Sequence, residues 1–324
     1  MNFLVNLGGK ILSHPVGLGP GVCKTVRDVE IAAQSKASFI IHGATTFDER
    51  HQNEGVVYHR HLDRRDGSLL HTQNSLGMPN RGRAALKRDM PKMVRITHDA
   101  GKLLFENAAG FTPDESAILV ELALEGGVDG IEINGGCPNV WVAGVQKPIM
   151  SYSPESIEAT LNAIERRVGK PAIPVWVKLS PFVTEDLLEP IHSLVTDRTP
   201  LFGFEVLERI GGIIATSELC AGVTLTNTLG NTLCLAEDGT PAITYLDGLA
   251  GLGGPALKPI ALENIRFLRP MLREDQFVIG AGGIMTWRDV ADYRAAGADA
   301  VYATSGYWEF GNKIFDKILL GAIE

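Results

Sequence analysis

Gly130-Ile131-Glu132-Ile133-Asn134-Gly135-Gly136-Cys137-Pro138-Asn139 decides how the rest of the chain is read. A short apolar run, Gly130 to Ile133, stops in Asn134, two glycines, Cys137, Pro138 and Asn139. That is the pattern of a buried strand delivering polar groups to a sheet end, and in parallel α/β folds that end holds the chemistry. Asn134 and Asn139 offer carboxamides that donate and accept. Cys137 offers a thiol that acts as a base once its proton is gone.

Seven further runs have the same character: Val16 to Gly19, Phe39 to His42, Leu103 to Glu106, Val175 to Leu179, Gly222 to Asn227, Phe277 to Gly280 and Ala300 to Thr304. Most are rich in Val, Ile or Leu and bounded by Gly, Pro or Asn. Helical patterns fall between them at Thr25 to Ser35, Pro113 to Gly126, Pro154 to Val168, Ala261 to Leu272 and Trp287 to Ala296. Thr286 is placed to cap the last of these, and Gly297 to end it. Strand and helix alternating through eight strands predicts a parallel sheet closed into a (β/α)8 TIM barrel. An open doubly wound sheet is the alternative, and the count of eight favours the barrel. Two long connections, Thr45 to about Pro91 and Asn231 to Lys258, read as loops over the C-terminal face. With no repeat and no linker, residues 1–324 read as one domain.

The 324 residues are 45% hydrophobic and 21% charged, with a formal net charge of -8. This balance is ordinary for a soluble protein and disfavours nucleic acid or an anionic membrane as partner. The first ten residues are too short and too polar for a signal peptide, and no apolar run approaches the ~20 residues of a membrane helix. Cys23, Cys137, Cys220 and Cys234 show no paired metal spacing and read as reduced thiols of a cytoplasmic protein.

Ile279-Gly-Ala-Gly-Gly-Ile284 and Ala303-Thr-Ser-Gly306 follow the last two strands. In barrels the backbone N–H groups there bind a phosphate, which glycine lets approach. Lys178, inside the apolar Trp176-Val-Lys-Leu179, needs a partner or a task. It is a fixed cation beside an anionic ring, an imine former, or one half of a salt bridge to Glu106 or Glu132. Asn74, Asn134, Asn139 and Asn227 would bring four carboxamides to one pocket, suited to a flat ring of alternating C=O and N–H groups. Among eight histidines, including His192, His59-Arg-His61 reads as a solvated loop, not as metal ligands, and no metal is expected. His42, ending the second strand, is expected to face the same rim as the asparagines.

On these residues the chain resembles the class 1 dihydroorotate dehydrogenases, flavin mononucleotide (FMN) enzymes built on a (β/α)8 barrel. The resemblance runs from Gly17 to Ser305. Its carriers are Asn74-Ser-Leu-Gly-Met-Pro-Asn80, Asn134-Gly-Gly-Cys-Pro-Asn139, Val177-Lys-Leu179, Asn227-Thr-Leu-Gly-Asn231, Gly251-Leu-Gly-Gly254 with Lys258-Pro259, and Gly280-Ala-Gly-Gly-Ile284. It implies that Asn74, Asn134, Asn139, Asn227 and Thr228 bind a pyrimidine ring. The backbone of Leu76, Gly77 and Met78 would hold the substrate carboxylate. Cys137 would take the C5 proton while C6 gives hydride to flavin N5. Lys178 would sit at the flavin N1 and O2 edge. Gly282, Gly283, Thr304 and Ser305 would hold the flavin phosphate, with Ala44, Asn107, Gly253 and Gly254 also against the cofactor. The implied activity is oxidation of dihydroorotate to orotate in pyrimidine biosynthesis, by a cytoplasmic homodimer using a soluble acceptor such as fumarate. An NAD-linked form would need an iron–sulfur partner, for which this chain has no cysteine set.

Three places depart from the family pattern. A lysine usual at the end of strand two is replaced by Ile41-His42-Gly43-Ala44, whose histidine charge varies with pH. The segment Val140-Trp-Val-Ala-Gly-Val-Gln-Lys147 is longer than usual. Glu106-Asn107 stands where a small hydroxyl residue is usual. These departures keep a second reading open, an FMN oxidoreductase acting on another conjugated C=C or an uncharged pyrimidine. Lys178 with Gly282 and Gly283 keeps a third, a lysine-dependent phosphate-binding lyase.

Overall fold

A computed structural model describes residues 3–142, 145–183 and 203–322. His192 lies outside the described residues. Eight parallel strands close into a barrel in chain order: β1 (Val16–Cys23), β2 (Phe39–Thr45), β3 (Leu103–Ala108), β4 (Gly130–Asn134), β5 (Val175–Leu179), β6 (Cys220–Leu225), β7 (Phe277–Ala281) and β8 (Ala300–Ala303). The eight runs read from sequence are these eight strands, and the closed barrel replaces the open-sheet alternative.

Side-chain alternation divides each strand between two cores. Ile40, Ile131, Ile133, Val175, Val177, Val223, Val278 and Val301 point outward into a layer shared with the helices. Phe39, Ile41, Phe105, Trp176, Phe277, Ile279, Ala300 and Tyr302 point inward. An antiparallel hairpin, Val5–Leu7 with Lys10–Leu12, adds Val5, Leu7 and Leu12 to that inner cluster. The interior is therefore packed rather than hollow.

The helices begin where the sequence offers a cap. Thr25, Thr112, Ser153 and Thr286 each accept a hydrogen bond from the third residue on. Thr25 and Thr286 complete reciprocal capping boxes with Asp28 and Asp289. Helix Trp287–Ala296 ends at Gly297, which is left-handed with φ 112°.

The two long connections are not structureless, which corrects their reading as loops. Tyr58–Leu62 and Leu69–Asn74 come from the first, Leu229–Thr232 and Ala250–Gly253 from the second, and together they form a four-stranded antiparallel sheet. Tyr58–Leu62 and Leu69–Asn74 pair as a local hairpin, but the link between the two connections, Gly251 to Asn74, lies far apart in the chain. The His59-Arg-His61 segment is strand, not loop. Among the described residues no helix is long and apolar enough to cross a membrane.

Candidate active site

The C-terminal ends of the barrel strands and the four-stranded sheet enclose a cleft of about 1120 Å³, open mouth included. The barrel end contributes Ala44, Asn107, Asn134, Lys178, Thr226, Asn227, Thr228 and Tyr302. The sheet and its turn contribute Asn74, Leu76, Gly77, Met78, Gly253 and Gly254. The segment after β4 contributes Cys137 and Asn139, and the last two strand ends contribute Gly282, Gly283, Thr304 and Ser305.

A chain of side-chain hydrogen bonds fixes the floor. Glu132, fully buried, accepts from Asn107 Nδ2 at 2.6 Å, from Thr224 Oγ1 at 2.6 Å and from Trp176 Nε1 at 3.3 Å. Asn107 Oδ1 accepts from Asn134 Nδ2 at 3.1 Å, and Asn134 Oδ1 accepts from Asn227 Nδ2 at 3.2 Å. The carboxylate at one end admits only donors, so it sets the donor-to-acceptor direction of every amide after it. A second pair closes the other side, where Asn139 Nδ2 donates to Asn74 Oδ1 at 2.9 Å. Asn74, Asn134, Asn139 and Asn227, with Asn107, are thus held in defined orientations around one space.

The turn after Asn74 is built to present N–H groups. Its four successive carbonyls are all claimed: Leu76 O by Asn53 N, Gly77 O by Arg50 Nε, Met78 O by Asn80 Nδ2 and Pro79 O by Lys24 Nζ. The N–H groups of Leu76, Gly77 and Met78 have no acceptor among the described residues. Gly77 at φ 77° and Met78 at φ 57° curl successive amides into a concave nest for an anion. A Cβ on Gly77 would lie 2.6 Å from Asn53 Oδ1, so this position takes no side chain.

Cys137 is half-buried and lines the cleft. Burial pushes its thiol up, while the Asn139 N–H and the charges of Lys178, Lys24 and Arg50 pull it back toward the thiolate. Lys178 is 7% exposed, and its ammonium lies 5.3 Å from the Tyr302 ring centroid. Burial lowers its pKa, and Glu132 and Cys137 oppose that. No ion pair joins Lys178 to Glu106 or Glu132 among the described residues, which removes the salt-bridge reading of this lysine. The hydroxyls of Thr226 and Tyr302 are buried without partners at the same wall.

At the far end Gly282, with φ 124°, and Gly283, with φ 72°, follow β7. The N–H groups of Gly282, Gly283 and Ile284 have no acceptor among the described residues. A Cβ on Gly283 would stand 2.7 Å from Pro255 Cα, so glycine is required where this backbone folds against the next segment.

The dihydroorotate dehydrogenase family model matches residues 3–323, nearly the whole chain. The chain belongs to this family. Dihydroorotate dehydrogenase A (fumarate) of Lactococcus lactis subsp. cremoris (strain MG1363) is 29% identical over 300 residues, covering 92% of this chain and 85% of that protein. Dihydroorotate dehydrogenase (fumarate) of Saccharomyces cerevisiae is 29% identical over 299 residues, covering 91% and 84%. The probable dihydroorotate dehydrogenase A (fumarate) of Enterococcus faecalis is 25% identical over 328 residues, covering 98% and 92%. Membership makes the chain an oxidoreductase acting on CH–CH groups.

Against that family pattern, the structure corrects one sequence expectation and adds one residue. His42 does not face the rim with the asparagines. Ile41 points into the barrel, so His42 points out, where Nδ1 meets Glu106 Oε2 at 2.6 Å. It lines a small pocket under helix Gly82–Asp99 with Asp89 and Met93, which adjoins the cleft and shares Lys24 and Ala44 with it. Glu106, the unexpected carboxylate, is engaged in this outward pair rather than in the cleft. The residue that the sequence pattern did not single out is Lys24, which lines the cleft from the end of β1. The available signal was its position directly after an apolar strand, in Val22-Cys23-Lys24.

Proposed function

We propose that this chain is an FMN-dependent dihydroorotate dehydrogenase, oxidising dihydroorotate to orotate with Cys137 as the base. The observation that carries the reading is a thiol facing a ring of oriented carboxamides beside a nest of open N–H groups. Dihydroorotate has a flat edge of alternating C=O and N–H groups, which Asn74, Asn134, Asn139 and Asn227 complement, and one carboxylate, which the Leu76–Met78 nest complements. Thr228 adds a hydroxyl on the asparagine side.

The cleft also fits FMN. Lys178 is a buried cation with no ion pair among the described residues, and the hydroxyls of Thr226 and Tyr302 are buried without partners. All three lack an acceptor that a polar ring edge would supply. The open amides around Gly282 and Gly283, with Thr304 and Ser305 across from them, suit a phosphate. Gly253 and Gly254 bring the sheet backbone against the same end, while Ala44 and Asn107 face the cleft from the barrel. Bound FMN would supply the two-electron acceptor for the hydride leaving C6. Cys137 takes the proton from C5, and the amide ring holds that carbon against the sulfur and away from bulk water. Lys178 stabilises negative charge at its end of the cleft. We place the enzyme as a single-domain cytoplasmic homodimer with fumarate as acceptor; the names of the bacterial and yeast relatives support the acceptor.

The test is anaerobic addition of dihydroorotate to the yellow holoenzyme. The expected result is bleaching of the flavin. Cys137→Ala should keep its flavin and bleach about 100-fold more slowly or worse. Unchanged bleaching in the variant removes Cys137 from the mechanism, and no bleaching in the native protein removes dihydroorotate as substrate.

A further inference from the structure

Lys24 is a charged group in the cleft that the proposed reaction leaves without a task. Its ammonium donates to Pro79 O at 2.6 Å, the carbonyl that closes the open-amide turn. It has no ion pair with a carboxylate among the described residues. Asp28, the acid that acts on it, is taken up by the backbone N–H groups of Lys24 and Thr25 and by the Thr25 hydroxyl. A single carbonyl leaves two of its three N–H donors unused in a mostly buried place. Burial brings Lys24 down to about 8, against the pull of Cys137 and Asp28. A cation kept at such cost beside three unclaimed amides needs an anion to complete the site.

We infer that Lys24 recognises the carboxylate of the substrate, as the fixed positive charge beside the Leu76–Met78 nest. The inference deepens the dihydroorotate reading and rests on it. The nest supplies directed hydrogen bonds and Lys24 supplies the charge, so a ring with a carboxylate is selected over the same ring without one. Since β1 lies next to β2, with Cys23 and His42 in register, Lys24 fills the side of the cleft from which His42 has turned away.

The test compares equilibrium binding of orotate and uracil to holoenzyme by calorimetry. Lys24→Met, which keeps the apolar stem but not the charge, should weaken orotate by ~30-fold or more and uracil by less than about 3-fold. Lys24→Arg should retain part of the preference. The groups facing Lys24 are Cys137, Asp28 and His42. The ammonium is present below about pH 8 and lost above it, so orotate affinity should fall as pH rises through that range in the native protein and stay flatter in Lys24→Met. Equal weakening of both ligands, or of neither, overturns the assignment. Failure of the native holoenzyme to bind orotate at all overturns the dihydroorotate reading itself and takes this inference with it.

A separate observation concerns the outer face of the four-stranded sheet. His59 and His61 alternate onto one face of Tyr58–Leu62, opposite to Tyr58, which lines the cleft. Cys234, from the far connection, meets them there, and one donor atom from each lies within 4.8 Å of the others. His61 stacks flat on its ladder partner His71, with centroids 4.9 Å apart. The geometry points to a divalent transition-metal site, of zinc type, formed by His59, His61 and Cys234 and clamping the two connections together. Two imidazoles and a thiolate suit zinc with one position open to water, the thiol giving up its proton on binding.

Titration with cobalt(II), read by thiolate-to-metal charge-transfer absorption, tests this. The band should appear in the native protein and in Cys137→Ala, and disappear in Cys234→Ser and in His61→Ala. No band in the native protein, or a band lost with Cys137 and kept in Cys234→Ser, overturns the site.

Discussion

The two halves of the barrel interior use the same strands for opposite ends. In the lower half Phe39, Phe105, Trp176 and Phe277 meet Val5, Leu7 and Leu12 of the hairpin in a dry cluster. In the upper half Asn107, Asn134 and Lys178 face a cleft. The change takes one inward step along a strand, from Trp176 to Lys178. At that step sits Glu132, which accepts from the Trp176 indole below and from Asn107 above. Stability and chemistry are therefore layered, and one carboxylate joins the layers.

The largest expected effect comes from breaking the lower layer. Trp176→Ala removes a fully buried indole flanked edge-to-face by Phe105 and Phe277. It should cost ~3–5 kcal/mol of stability, read as a lower midpoint in urea, with the cofactor still retained in the folded fraction. Cys137→Ala is the upper-layer counterpart. Its flavin reduction should slow by about 100-fold while stability from urea unfolding stays within about 0.5 kcal/mol of native. If Trp176→Ala instead abolishes catalysis in fully folded protein, or Cys137→Ala unfolds it, the layers are not separable.

The layering also accounts for which parts of the fold were legible in the sequence. The strands were legible because most carry β-branched residues on the outward face, and Val16, Ile40, Ile131, Val175, Val223 and Val278 all lie there. Cys137 and the four asparagines were legible because a polar side chain that closes a buried apolar strand must be hydrogen-bonded or face a cavity. His42 was misplaced because position at a strand end was weighed without parity, although Phe39 and Ile41 already mark the inward set. The cover sheet was not legible, since its two halves meet where Gly251 pairs with Asn74, across a long separation that no local pattern encodes. Cys234 reaches His59 and His61 for the same reason.

Glu132→Gln tests the joint. The glutamine retains one acceptor oxygen but turns an N–H toward groups that already donate, so stability should fall by ~1–3 kcal/mol. Lys178 would also lose a negative charge that favours its ammonium, lowering its pKa further than burial already does. FMN affinity should then begin to fall at a lower pH than in the native protein, measured by flavin fluorescence on dilution. A stability loss with an unaltered pH profile would mean that Glu132 orients the amides without supporting the cation.

The smallest effect belongs outside both layers, at the outward pair of His42 and Glu106. Burial disfavours the His42 cation, but Glu106, by charge and hydrogen bond, outweighs it and leaves the pKa above the ordinary histidine value. A group whose folded pKa is raised stabilises the fold fully below the unfolded value of about 6.5, and that contribution is lost as pH rises through the folded pKa. His42→Gln removes the titration. The stability difference between native and variant should be greatest in mild acid and shrink as pH rises, while Cys137-dependent flavin reduction at saturating dihydroorotate, where Lys24 binding is satisfied, is unaffected. A difference that is constant with pH would show that the imidazole is neutral throughout. A change in flavin reduction would show instead that the outward face of a strand end can reach the chemistry, and that the barrel wall does not insulate the cleft from the helices behind it.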